Sequence, residues 1–148
     1  MTDDEALNHF IAGYVSGEGS FYISAPKTSA GQLQCGFSLK VRDDDRELVD
    51  TVWLALNRVG RIYPIEAKRY QYDWDTVKRH DAVTLMIRRL SDLVNTVIPF
   101  FDHYPLRGKK RVNYDLWRQA VLMMWNDEHL TESGQAAILE IRAQMNRY

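Results

Sequence analysis

The sequence holds one cysteine, Cys35, in 148 residues, so neither an internal disulfide nor a cysteine-based zinc cluster is available. A lone thiol of this kind reads as a core side chain. No apolar run approaches the ~18 residues that a bilayer crossing takes, and the chain opens with Met-Thr-Asp-Asp-Glu in place of a basic, oily leader. The expectation is an intracellular protein with no membrane partner. The four histidines, His9, His80, His103 and His129, lack metal-ligand spacing, and no linker, low-complexity tract or strong internal repeat divides the chain. Carboxylates are missing over one long stretch: between Ser20 and Arg42 the only charges are Lys27, Lys40 and Arg42.

What is present suits a single globular domain with a real core, 45% hydrophobic and 26% charged. A formal charge of −1 argues against a polyanionic partner only if the charge is spread evenly, and it is not. Acids gather near the start (Asp3, Asp4, Glu5, Glu18) and in the last quarter (Asp127, Glu128, Glu132, Glu140), while Arg107 to Arg111 reads RGKKR. A folded form can therefore carry one basic face.

Thr2 to Glu5 is a capping box, and Ala6, Leu7, Phe10, Ile11 and Tyr14 follow at helical spacing, which predicts a first helix to about Ser16. The period then changes to two. Phe21 and Ile23 alternate with Tyr22 and Ser24, and, after a turn over Lys27 to Gly31, Leu33, Cys35, Phe37, Leu39 and Val41 alternate with polar residues. Asp44 to Glu47 offers a second capping box for a helix that Gly60 would close. RIYPI (61–65) and AVTLMIRR (82–89) read as two more strands. Ser91 can cap a third helix that Pro99 should end or kink, YPLRGKK reads as a loop, and Val112 to Trp125 and Thr131 to Asn146 read as two further helices. The order is αββαββα: an α+β domain with one four-stranded antiparallel sheet and additional C-terminal helices, single over 1–148, its core about 2–125 and an extra helix about 131–146.

The polar strand faces carry no carboxylate. Tyr22 and Ser24, Gln32, Gln34, Ser38, Lys40 and Arg42, Arg61 and Tyr63, and Thr84 and Arg88 offer amide, hydroxyl and guanidinium groups that suit the donor and acceptor pattern of base edges. With Lys27 and Lys110 these are the candidate DNA-binding residues. A solvated outer sheet face explains the same pattern.

The stretch IAGYVSGEGS, Ile11 to Ser20, resembles the signature of the LAGLIDADG homing endonucleases, a helix that ends in a glycine-flanked acid and leads into the first strand of an αββαββα fold. Ala12, Gly13, Gly17, Glu18, Gly19 and Ser20 fall in register. The likeness continues through PFFDHYPLRGKK and covers about three-quarters of the chain. Ser16 stands where the family name has its first aspartate, and Glu18 replaces the second.

The resemblance implies that Glu18 is the metal-binding acid, at a metal site shared with Gly17; glutamate is a hard oxygen ligand like aspartate. Gly13 and Gly17, four apart, let a second helix approach closely, and the motif occurs once. The partner helix is therefore expected from a second copy of the chain, through Ile11, Ala12, Gly13 and Gly17. The metal would be Mg²⁺, with Mn²⁺ as a substitute, and the reaction metal-dependent hydrolysis of double-stranded DNA at a long pseudo-palindromic site, leaving 3′ overhangs. The implied catalytic residues are Glu18, Asp43 and Lys109. Lys110 or Arg107 can take the lysine's place, and Asp43, like Asp44, can instead cap the helix that follows. Two rivals stay open: a non-cleaving nucleic-acid-binding protein of the same fold, either an RNA maturase or a transcriptional regulator, and a small-molecule hydrolase using Glu18, which lacks a paired carboxylate.

Overall fold

A computed structural model describes residues 1–26, 32–67 and 80–145. Lys27 lies outside the described residues. Helix α1 spans Asp3–Glu18 and starts with the expected capping box: the Thr2 amide donates to the Glu5 carboxylate (3.0 Å) and the Glu5 amide to the Thr2 hydroxyl (3.1 Å). Strands β1 (Gly19–Ser24), β2 (Gln34–Arg42), β3 (Arg61–Ile65) and β4 (Ala82–Ile87) form one antiparallel sheet in the order β1-β2-β4-β3. Helix α2 is Arg46–Ala55, entered through a 3₁₀ turn at Asp43–Asp45. After β4 come α3 (Leu90–Asp92), a π turn (Leu93–Val97), α4 (Ile98–His103), α5 (Gly108–Trp125) and α6 (Glu132–Gln144). The αββαββα order is as expected.

All helices pack on one face of the sheet. The inward residues of β1, β2 and β4 are buried with Ile11 and Val15 of α1, Val49, Val52 and Leu56 around α2, and Phe101, Tyr114 and Trp117. Phe21 sits at the centre, its ring 4.9–5.7 Å from those of Phe37, Phe101, Tyr114 and Trp117. Cys35 is in this core, its sulfur 3.3 Å from that of Met124, and burial pushes its thiol up to about 12. The C-terminal helix joins the same core through Ile138 and Ile141. Arg142 of this helix donates to the carbonyl of Ile23 (2.8 Å) and Trp117 of α5 to that of Tyr22 (3.2 Å), so both helices hold edge strand β1 by its backbone. The other edge, β3, carries Pro64, which has no amide to offer a further strand.

Several expectations need correction. α1 runs two residues past Ser16, because the Gly19 amide still bonds to the Val15 carbonyl before the chain turns extended. The second capping box is not formed: Asp45 is the cap of α2 and makes no side-chain capping bond. α2 ends at Ala55, well before Gly60, which sits at φ +77° in the turn into β3. Ser91 does not cap; α3 starts at Leu90. Pro99 does not end the helical run either, because the π turn before it lets the Ile98 amide reach back five residues to Leu93, and a proline in the first turn of α4 has no hydrogen bond to forfeit. The RGKK segment is not a loop: Gly108 to Arg111 is the first turn of α5.

Candidate functional site

The apolar residues of α1 divide sharply. Ile11, Ala12 and Val15 are buried in this chain's own core, whereas Gly13 and Gly17 are exposed and a Cβ built on either meets nothing within 4 Å. Ile11 and Ala12 therefore cannot face a partner, which corrects the expectation for them. Phe10, half exposed, extends the open face by one turn. Gly19 is different: a Cβ there would lie 2.6 Å from Val15 Cγ1 and 3.0 Å from the Val15 carbonyl oxygen, so only glycine lets the helix pass directly into the strand. The glycine-acid-glycine sequence is thus a joint that leaves Glu18 exposed at the last position of α1.

The C-terminal end of a helix carries partial negative charge, and the last turn of α1 has no basic residue of its own to offset it. A carboxylate added there makes a spot that attracts a cation. The donors available to one are hard oxygens, the Glu18 carboxylate and the backbone carbonyl of Gly17. Among the described residues no three His, Cys, Asp or Glu side chains come together as a metal-binding group.

The first turn of α5 is fastened to this joint. The Ser16 hydroxyl donates to the Ala12 carbonyl (2.7 Å) and accepts the backbone amide of Arg107 (3.0 Å), and the Lys110 ammonium donates to the Gly19 carbonyl. Lys110 is thus bonded at the joint. Lys109 is exposed in the same turn. Ser16, where the sequence departs from the family name, is the tie between two elements 91 residues apart. Farther along, Asp102 anchors α4 to α5: Arg118 grips it with Nη2 at 2.8 Å and Nε at 3.0 Å, and the Tyr114 hydroxyl donates to it at 2.6 Å. Burial pulls the Asp102 carboxyl up, but these hydrogen bonds and the guanidinium charge outweigh it and hold the group below its ordinary range.

Asp43 opens the 3₁₀ turn after β2, exposed, its amide bonded to the Asp81 carbonyl (3.0 Å). It does not cap α2. Asp44 does not either, and pairs with Arg42 at 3.0 Å. Asp45, which sequence reasoning did not single out, acts together with Glu18 on Tyr14, whose phenol is raised by burial first and then by those two carboxylates.

The open face of the sheet carries the remaining candidates in cross-strand rows. Ser20, Ser38, Met86 and Arg61 form one row, and Lys40, Thr84 and Tyr63 the next; Ser24 pairs with Gln34, and Tyr22 with Gly36. Gln34, Lys40, Arg42, Arg61 and Ser24 are exposed, as is Gln32 just before β2, while Ser38 is partly covered. Thr84 is a correction: at 7% exposure on an inner strand between Lys40 and Tyr63, it is covered by its neighbours and offers no free hydroxyl surface. Arg88 lies just past β4, exposed, with its guanidinium 3.2 Å from the Met86 sulfur. A Cβ on Gly36 would lie 2.3 Å from the Tyr22 hydroxyl and ring, so the tyrosine lies across the glycine. No helix of the described residues is long and apolar enough to cross a membrane.

Comparison with known proteins bears on this joint. In solved structures the fold recurs in the I-SmaMI LAGLIDADG homing endonuclease bound to an uncleaved DNA target with calcium ions (TM-score 0.79, 23% identity, 95% of this chain and 45% of that one). It recurs again in the I-LtrWI LAGLIDADG homing endonuclease bound to target DNA (TM-score 0.76, 30% identity, 95% and 44%). A probable intron-encoded endonuclease 2 of Neurospora crassa is 28% identical over 134 residues, 90% of this chain and 26% of that protein. The chain thus spans less than half the length of these relatives. Residues 11–121, from the open helix through the joint and the sheet to the middle of α5, match the family described as LAGLIDADG endonuclease, and the chain belongs to that family.

Proposed function

We propose that the chain is a site-specific endonuclease that hydrolyses phosphodiester bonds of duplex DNA as a two-fold homodimer, at a long pseudo-palindromic site and with 3′ overhangs. The observation that carries this reading is the exposed Glu18 at the end of a helix whose outer face is opened by Gly13 and Gly17. One carboxylate holds a divalent ion weakly. Two, converging where a pair of α1 helices meet, form a usable site, and a cation there removes their mutual repulsion. The motif occurs once in this sequence, so a second copy of the chain supplies the facing α1 helix. The DNA in the solved relatives supports duplex DNA as the partner, and the calcium in one of them supports a hard divalent cation.

The oxygen donors at the joint, Glu18 and the carbonyl of Gly17, fit Mg²⁺, with Mn²⁺ as a substitute. Bound there, such an ion supplies Lewis-acid polarisation of the scissile phosphate. Asp43 orients the attacking water from its exposed turn, and the lysines of the first α5 turn offset phosphate charge, with Lys110 bonded at the joint and Lys109 beside it. Base edges are read from the open sheet face by Gln34, Ser38 and Lys40, with Gln32, Ser24, Tyr22, Arg42 and Tyr63 around them, while Arg61 and Arg88 meet the duplex at the outer edge of the sheet.

Glu18→Gln removes the charge that holds the cation and leaves the sheet intact. Its expected outcome is a loss of metal-dependent strand scission of about a hundredfold or more, with duplex affinity retained, measured on a selected target. A mutant that cleaves at the wild-type rate contradicts the assignment. A wild type that binds duplex DNA and never nicks it with either cation points to the non-cleaving alternative.

A further inference from the structure

We propose that a cavity of about 480 Å³ at the outer edge of the sheet is a phosphate clamp, gripping one backbone phosphate of the bound duplex independently of sequence. This rests on the DNA reading above. Among the described residues, four arginines line the cavity, Arg58, Arg61, Arg88 and Arg89, against a single carboxylate, Asp92. Among the described residues none of the four makes an ion pair, whereas Arg42, Arg46 and Arg118 each do. An excess of three positive charges in a concave site selects an anion, and planar guanidinium forks match phosphate oxygens.

The backbone is arranged around this cluster. Asn57 and Arg58 both hold left-handed φ angles, 56° and 59°, which asparagine tolerates and which costs an arginine about 1 kcal/mol or more. Gly60 follows at φ +77°, pressed so close to β4 that a Cβ would lie 2.4 Å from the Met86 carbonyl oxygen. This turn folds the chain back so that Arg58, at the end of α2, lines the same cavity as Arg88 and Arg89 beyond β4.

Position favours a backbone phosphate over a base edge. Arg61 stands in the same cross-strand row as Ser20, two residues past Glu18, but three strands away. Three inter-strand spacings come to about 14 Å. A major groove is about 12 Å wide, so a sheet lying in it brings its two edges to the two flanking phosphate backbones. The β1 edge meets one and this cavity meets the other.

The test is equilibrium binding of the full chain to a duplex target across a salt series, with wild type and the double variant Arg58→Asn, Arg89→Gln; asparagine tolerates the left-handed φ. The expected result is at least about tenfold weaker binding to every sequence alike, a slope of log K against log salt shallower by about two, one for each copy in the dimer, and an unchanged base preference and melting temperature. The charge-retaining Arg58→Lys should keep most of the slope. An unchanged slope, or a preference altered at one base position, overturns the clamp. Titration of the wild type with inorganic phosphate, read on the arginine side-chain Nε–H resonances, separates the sources. Phosphate-induced shifts together with an unchanged DNA slope assign the cavity to free phosphate and overturn the duplex clamp. A wild type that binds no duplex at any salt overturns the functional reading itself, whatever the phosphate titration gives.

Discussion

The two faces of α1 obey different rules. On the inner face Ile11, Ala12 and Val15 are 0–2% exposed, and their identity follows from the core they fill. On the outer face Phe10 is 52% exposed, and Gly13 and Gly17 have no neighbour that would forbid a side chain. Helix-interior glycine costs roughly 0.5–1 kcal/mol relative to alanine, so two of them on an open face are a standing loss to the isolated chain. Gly19, at the joint, is explained from within, because any side chain there strikes Val15. The three motif glycines are therefore of two kinds, one required by the packing of this chain and two that it does not require.

The largest expected effect comes from breaking the inner face. Ile11→Ala removes a fully buried side chain from the core and should cost about 2–5 kcal/mol, read as a lower midpoint of denaturant unfolding. A value within error of wild type would mean that α1 is not packed as described. Gly19→Ala comes next: its Cβ falls inside contact distance of Val15, and about 1–3 kcal/mol is expected in the same measurement. Ser16→Ala takes the side-chain acceptor from the Arg107 amide at an exposed contact and should lose up to about 1 kcal/mol, with faster amide exchange at Arg107.

Gly13→Leu sharpens the contrast most while perturbing the chain least. With open space around it, the substitution should leave the monomer's stability unchanged or raise it by up to about 1 kcal/mol. Self-association, followed by sedimentation, should be lost along with cleavage. A variant that still associates and cleaves places the partner surface elsewhere on the chain.

Much of this architecture was legible in the sequence because it rests on periodicity. The change from helical spacing to alternation at Gly19 marks the joint, and alternation in β2 and β4 gave the buried rows correctly. Periodicity tells which face of a strand a residue takes, not how crowded that face is, and Thr84 was misjudged for that reason. On α1 the apolar residues run nearly all the way round, so Ile11 and Ala12 could not be assigned to the core rather than to a partner without the tertiary packing. Pro105 and Gly108 look like loop residues, yet α5 begins at Gly108, its first turn carrying basic residues and no apolar stripe until Val112. The Ser16 tie had no local signal, its partner being 91 residues away. The arginine cavity was hidden in the same way, since Arg58 and Arg89 belong to separate stretches that meet only when the turn at Gly60 is folded against β4.

The ring of Tyr22 lying across Gly36 sets terms for how such a protein can change its target over time. Gln34 and Lys40 stand exposed on the open face, so each can be exchanged singly, and under the proposed reading such exchanges move the target. Tyr22 and Gly36 are interlocked: no side chain fits at 36 while the ring is there, and losing the ring bares a glycine in the middle of a sheet. Among relatives that differ in target, these two positions should vary as a pair or not at all, a fixed point around which the rest of the face is free to be rewritten.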